Sequence, residues 1–362
     1  MRLFVALCLG LLFTITASAQ PGPEIQSDNR VKFRFRANQA KEVAVRGQWS
    51  KVPIALSRQE GENSIWTVTS EPIPAGVWEY RFVVDGLTVI DPSNPMLKPQ
   101  REPNSSILHI EGSPPNPWDF KNIPHGTVHQ HSYYSKTLGR HRELSVYTPP
   151  GYENKAESTY PLLVLQHGSG DNHLTWVAHG KAHWILDSLI AEQKAVPMIV
   201  LMIDGHPRGQ VPRDDVQARD ESLTAFEKEL FGDAIPLVEA NYRVSSDREL
   251  RGIAGLSMGG WQSINVGFSH LNQFAWIGSF SGAADKATLE TTLSDAETTN
   301  KQTKLLWIAC GKDDFLLDRI QALIDALEEH HIHHEWHLTD GDHSWPVWRV
   351  HLNDFLPRLF QK

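Results

Sequence analysis

Cysteine is almost missing from this chain. Two occur in 362 residues, Cys8 and Cys310. Cys8 lies inside an apolar N-terminal run that reads as a removable leader, so Cys310 stands alone in the mature chain and an intramolecular disulfide is excluded. A chain of this length can bury enough core to hold together without disulfides, so their lack does not argue against export. Charge is sparse and biased, with 34 Lys and Arg against 43 Asp and Glu. Taking Arg2 away with the leader leaves 33 against 43, a formal charge of −10. That balance disfavours nucleic acid and anionic membrane surfaces as partners, because both demand clustered Lys and Arg. Long apolar runs are lacking as well. The run Leu3 to Ile15 falls short of the roughly 20 residues a membrane-spanning helix needs, and nothing after it is comparably apolar. With Arg2 before it and the small residues Ala17, Ser18 and Ala19 after it, this run predicts a secretory signal cleaved after Ala19 and a secreted or periplasmic protein. Cys8 comes too early in the run to mark a lipoprotein. No low-complexity tract appears, and apolar residues make up 40% of the chain, which predicts a folded protein of two domains.

From about Arg30 to Gly112 the chain alternates apolar and polar residues in short stretches: VKFRFRA, EVAVRGQW, SIWTVTS, WEYRFVVDG and SILHIEG, with turn residues between them. This pattern predicts a small all-β immunoglobulin-like sandwich over residues 24–112. Trp49, Trp66, Trp78, Tyr80 and Phe82 are expected to face its core, with a sugar-stacking platform as the alternative. The proline-rich stretch Ser113 to Pro117 can neither continue a helix nor pair inside a sheet, so 113–117 is expected to be a linker. The sandwich is expected to fold separately and to be dispensable for any chemistry of the following domain on small soluble substrates. Residues 118–362 then alternate apolar strands (PLLVLQHG, MIVLMIDG, ELRGIAG, KLLWIACG) with amphipathic helical stretches, which predicts an α/β domain with a mainly parallel sheet covered on both faces. A site is expected at the carboxyl ends of those strands.

Gly255-Leu256-Ser257-Met258-Gly259 follows one of these strands and opens a helix, the pattern of a nucleophile elbow. Small flanking residues are needed there because the backbone passes close to itself in a strained turn. The turn lifts the Ser257 hydroxyl clear of the sheet and sets the Met258 N–H at a helix N-terminus, where it can stabilise an oxyanion. A serine hydroxyl needs a histidine to take its proton and a carboxylate to orient that histidine. In chain order Ser, acid, His, the candidates are Ser257, the pair Asp313 and Asp314 after KLLWIACG, and His343 in DGDHSWPVW. His330, His331, His333, His334 and His337 compete with His343, but the first two end a helix and the others alternate along a strand, so no metal is expected. His167-Gly168-Ser169-Gly170 after PLLVLQ is expected to supply the second oxyanion donor through the Ser169 N–H.

The stretch 30–112 resembles the early-set domains, including carbohydrate-binding modules of glycogen-branching-type enzymes, through WEYRFVVDG at 78–86 and DPSNP at 91–95. Residues 118–362 resemble the esterase D group and, within it, carbohydrate esterase family 1, which contains feruloyl and acetylxylan esterases. The residues that carry this are YTPPGY at 147–152, YPLLVLQHGSGDNHLTW at 160–176, PMIVLMIDGH at 197–206, GLSMGG at 255–260, CGKDDF at 310–315 and GDHSWPVWR at 341–349. The resemblance implies an α/β-hydrolase fold in which Ser257 is the nucleophile, His343 the base and Asp314 the orienting acid, with Asp313 as fallback. It implies no cofactor, and a feruloyl or acetyl ester on a polysaccharide such as xylan as substrate. The sandwich would offer a possible contact to the glycan. Relatives that hydrolyse catechol siderophore esters are the alternative, and a carbohydrate-binding protein with an inactive hydrolase domain is the alternative of another class. Substrate selection is expected in the loops 172–176, 206–220 and at Trp345, with Trp345 and Trp176 as candidate substrate-binding residues.

Overall fold

The computed structural model describes residues 22–59, 64–154, 157–212 and 214–361. The predicted signal lies outside the described residues. Among them, no helix is long and apolar enough to cross a membrane.

Residues 24–110 form two antiparallel sheets. Val31–Arg36 and Ile65–Thr69 lie at the centre of one, and Val43–Gly47, Gly76–Val84 and Ser106–Ile110 dominate the other. Alternation decides what they enclose: Val31, Phe33, Val43, Val45, Trp66, Tyr80, Phe82, Leu108 and Ile110 form one buried cluster, with Trp49 and Trp78 packed on its margin. Trp66, Tyr80 and Phe82 are therefore core, as expected, while Trp49 and Trp78 are half-buried at its edge.

The segment 113–119 is tied to its surroundings. Asp119 is buried and accepts from the backbone N–H groups of Gly112 and Asn116 at 2.8 and 2.7 Å. It also pairs with His109 at 2.7 Å.

The rest of the chain builds an eight-stranded sheet. Thr127–Ser135 and Arg140–Thr148 are antiparallel at one edge, and the six strands that follow in the sheet run parallel to one another. Leu162–Gln166, Ile199–Ile203, Arg251–Leu256 and Trp276–Phe280 are buried along their whole length. Continuous apolar composition fits burial on both faces, and two large apolar clusters lie on the sheet, one of them including Trp176, Trp307 and Trp345. This is the α/β-hydrolase fold. The carboxyl ends of Leu162–Gln166, Arg251–Leu256 and Leu305–Gly311 deliver the loops that carry Ser169, Ser257 and Asp314.

Candidate active site

Ser257 sits between the strand Arg251–Leu256 and the helix Met258–Ser269 with φ 52° and ψ −114°. A non-glycine residue holds such a conformation only where its surroundings impose it. They do so here by close approach. A Cβ on Gly255 would meet the Gln166 carbonyl oxygen at 2.7 Å, and one on Gly259 would meet the His167 and Gln166 oxygens at 2.5 and 2.6 Å. The two glycines thus let the elbow press against the neighbouring strand while Ser257 points out of it.

The Ser257 hydroxyl lies 2.8 Å from His343 Nε2. His343 Nδ1 lies 2.9 and 2.8 Å from the two oxygens of Asp314. With Asp314 ionised, Nδ1 carries the proton and donates it, leaving Nε2 free to accept from Ser257. Burial pushes the Asp314 carboxyl up, but the His343 contact, the Leu316 N–H at 2.8 Å and the Ser281 hydroxyl outweigh it and hold the group below the usual carboxylate range. Asp313 is exposed and joins the loop through its backbone, donating to the Gly341 oxygen at 2.9 Å. The turn after the strand end, closed by the Asp314 N–H on the Gly311 oxygen at 3.2 Å, therefore leaves Lys312 and Asp313 exposed and puts Asp314 at His343. The ring of His343 is held between Phe315 and Trp348 at 4.4 and 4.8 Å between centroids.

Met258 opens its helix, so its N–H has no intrahelical acceptor. The loop of Ser169 lies directly against the elbow, since a Cβ on Gly168 would touch Leu256 at 2.6 Å and Ser257 Cβ at 3.6 Å. Ser169, Ser257 and Met258 line one cavity. The competing histidines lie elsewhere: His330 and His331 end the helix Leu317–Glu329, and His337 stacks on Trp307 at 4.7 Å. Among the described residues no group of three metal-ligating side chains converges.

The Esterase family matches residues 135–359, more than half of the chain. The chain belongs to that family. It is 30% identical over 357 residues to an endo-1,4-beta-xylanase/feruloyl esterase of Xylanibacter ruminicola, covering 94% of this chain and 47% of that one. The chain thus spans about half the length of this relative. A solved ferulic acid esterase, 25% identical, superposes with a TM-score of 0.57 over 66% of this chain and 100% of its own. The enterobactin esterase of Shigella flexneri, 22% identical, has the same fold, with a TM-score of 0.67 over 95% of this chain and 97% of its own.

The cavity beside Ser257 has a volume of about 170 Å³, close to the roughly 150 Å³ that accommodates one benzene ring. Met258, Trp261, Ala283, Phe315, Leu316 and Ile320 line it, and Arg219 and Arg319 stand on its wall. Trp261 donates to Asp285 at 2.6 Å, and Arg219 lies 4.8 Å above its ring. Trp345 and Trp176, expected to contact substrate, do not line this cavity. They are 2% and 1% exposed and pack edge-to-face at 4.9 Å beneath the His343 loop. The reason is local: Trp345 is the first residue of the helix Trp345–Phe355, and its ring lies within the core cluster shared with Trp176 and Phe280. Trp261 and Phe315 are what the motifs should have suggested. One stands four residues after the elbow serine, a single helical turn on, and the other follows Asp314 directly.

Trp345→Ala should therefore act as a core truncation. We expect a loss of about 3–5 kcal/mol of stability and equal falls in turnover of cinnamoyl and acetyl esters. A selective loss of cinnamoyl turnover, measured as the ratio of the two kcat/KM values, would return Trp345 to the substrate.

Proposed function

We propose that the chain is an exported serine esterase that hydrolyses hydroxycinnamoyl esters, feruloyl in particular, on plant-type polysaccharide such as xylan, through an acyl-Ser257 intermediate. The observation that carries this reading is the cavity beside Ser257, lined by Trp261 and Phe315 and sized for one aromatic ring. In the reaction, the Ser257 oxygen attacks the ester carbonyl while His343 Nε2 takes its proton. The oxyanion is held by the Met258 and Ser169 N–H groups, and His343 returns the proton to the departing sugar oxygen. Water then repeats the sequence on the acyl-enzyme, releasing the acid and restoring Ser257. The chemistry needs neither metal nor cofactor. Similarity to a xylanase/feruloyl esterase supports the substrate class.

A specific observation favours a second reading. Arg219 and Arg319 stand on the cavity wall, as an anionic catecholate ester would require. Both, however, share Asp285 at 3.4 and 3.5 Å, which offsets much of their charge. A hydrolysis panel of methyl ferulate, acetylated xylan and a tris-catecholate ester separates these substrates. Methyl ferulate is expected to be cleaved best, and Trp261→Ala should lower its kcat/KM about tenfold or more while sparing an acetyl ester. Ready cleavage of the acetyl ester without ferulate would replace this reading with acetyl esterase. Export is tested by sequencing the mature N-terminus, expected at Gln20.

A further inference from the structure

The loop that carries Ser169 is held from outside its own domain. Gly168 to Asp171 form a turn closed by the Asp171 N–H on the Gly168 oxygen at 3.2 Å. Gly170 supplies the φ of +84° that the third position of a type II turn requires. One flank is fastened within the hydrolase fold, where His206 Nε2 accepts the Gly170 N–H at 3.2 Å. The other flank meets residues 98–101, which lie in the N-terminal region just before its last strand, Ser106–Ile110. The Arg101 N–H donates to the Gly170 oxygen at 2.8 Å, Gln100 bridges Asp171, and Thr175 Oγ1 donates to the Pro99 oxygen at 2.6 Å. Lys98 is 6% exposed and places its ammonium 3.2 Å from Asp171 and 3.0 Å from Glu79, a residue of the strand Gly76–Val84. Burial pushes the Asp171 carboxyl up, and the Lys98 charge is the chief influence against that. Glu79 also faces His179, and Arg349 donates to the oxygens of Val77 and His179 at 2.6 and 3.2 Å. A chain of buried polar contacts thus runs from the N-terminal sheet to the turn beside Ser257.

We infer that the N-terminal region positions the oxyanion turn: Lys98, clamped by Glu79, holds Asp171 so that the Ser169 N–H stays in register with Ser257. Lys98 is a positioning residue, since it touches no reacting atom. The inference rests on the reading of Ser169 as an oxyanion donor. It reverses the expectation that the sandwich is dispensable for small esters, because the contacts it makes are to the turn that every ester must meet.

The test is a double-mutant cycle in the full chain with Lys98→Met, Asp171→Asn and both, assayed on nitrophenyl acetate alongside thermal unfolding. Each single change should lower kcat about 10–100-fold, less than the roughly 100–1,000-fold that follows outright loss of one oxyanion donor because the donor is misplaced and not removed, with KM within about twofold. The double variant should be no slower than the worse single one, because both break one link. Inhibition by phenylboronic acid, whose boron takes the Ser257 oxygen to form a tetrahedral adduct, should weaken in parallel with kcat. A merely structural role would lower the unfolding temperature and leave kcat and boronate affinity of the folded fraction unchanged, and that result overturns the inference. Should Lys98→Met not accumulate folded, Asp171→Asn is read alone, and a kcat within twofold of wild type overturns it equally. An inactive wild type would instead sink the esterase chemistry itself.

Discussion

Ser257→Ala and His343→Ala are each expected to lower kcat/KM on a nitrophenyl ester by on the order of 10⁵–10⁶, while unfolding temperature and circular dichroism stay close to wild type. Each substitution removes a partner from the line Ser257 to His343 to Asp314, whose links are 2.8 and 2.8 Å. Without the hydroxyl no acyl-enzyme forms. Without the imidazole the serine keeps its proton, and the leaving oxygen departs unprotonated. The two losses should not add, because they interrupt one step. Asp314→Asn should cost roughly 10⁴ in kcat, since an amide can present its N–H to Nδ1 and trap the wrong tautomer. Asp313→Asn should change the rate less than about threefold, because its side chain is exposed and both contacts to His343 Nδ1 come from Asp314. A crippled Asp313→Asn with an active Asp314→Asn would invert the acid assignment.

Gly259→Ala is expected to harm both the fold and the site for one added carbon. Its Cβ would lie 2.5 and 2.6 Å from the His167 and Gln166 carbonyl oxygens, and those atoms belong to a buried strand end that cannot swing aside as a side chain could. Overpacking of this kind costs about 3 kcal/mol, which corresponds to a fall of roughly 6–12 °C in Tm for a domain of this size. Activity should fall further than stability. Relief of the clash would separate the elbow helix from the His167 turn, and so move the Met258 and Ser169 N–H groups apart. Differential scanning calorimetry together with kcat at 25 °C checks both. A Tm within 2 °C of wild type would show that the close approach is slack.

The elements that bear the chemistry are local, and for that reason they were legible. The elbow is a five-residue pattern whose glycines answer steric demands within the turn itself. The parallel strands are continuous apolar runs that only two-sided burial explains. The alternation of the first hundred residues decided which aromatics face inward, and Trp66, Tyr80 and Phe82 do. Choosing Asp314 over Asp313 needed either a family pattern or the direction of a side chain after the strand end.

What the sequence could not settle was decided by how the elements pack. Trp345 stands two residues from His343 in the chain, yet its ring turns into the core against Trp176, while Trp261 on the elbow helix and Phe315 in the loop after Asp314 face the cavity. Sequence proximity to a reactive group says nothing about the side to which a ring is turned, because that depends on which neighbouring element leaves room. Lys98 shows the same limit over a longer range. As a residue in a loop it reads as an ordinary surface lysine, and only the docking of two regions buries it between Glu79 and Asp171. The sequence by itself determined the fold class and singled out Ser257, Asp314 and His343, which the structure brings together, since short-range sterics and periodic burial mark the turns and strands that carry them. The shape of the acyl cavity and the bracing of the oxyanion turn came from tertiary structure alone, since both are made of contacts between segments that no local pattern links.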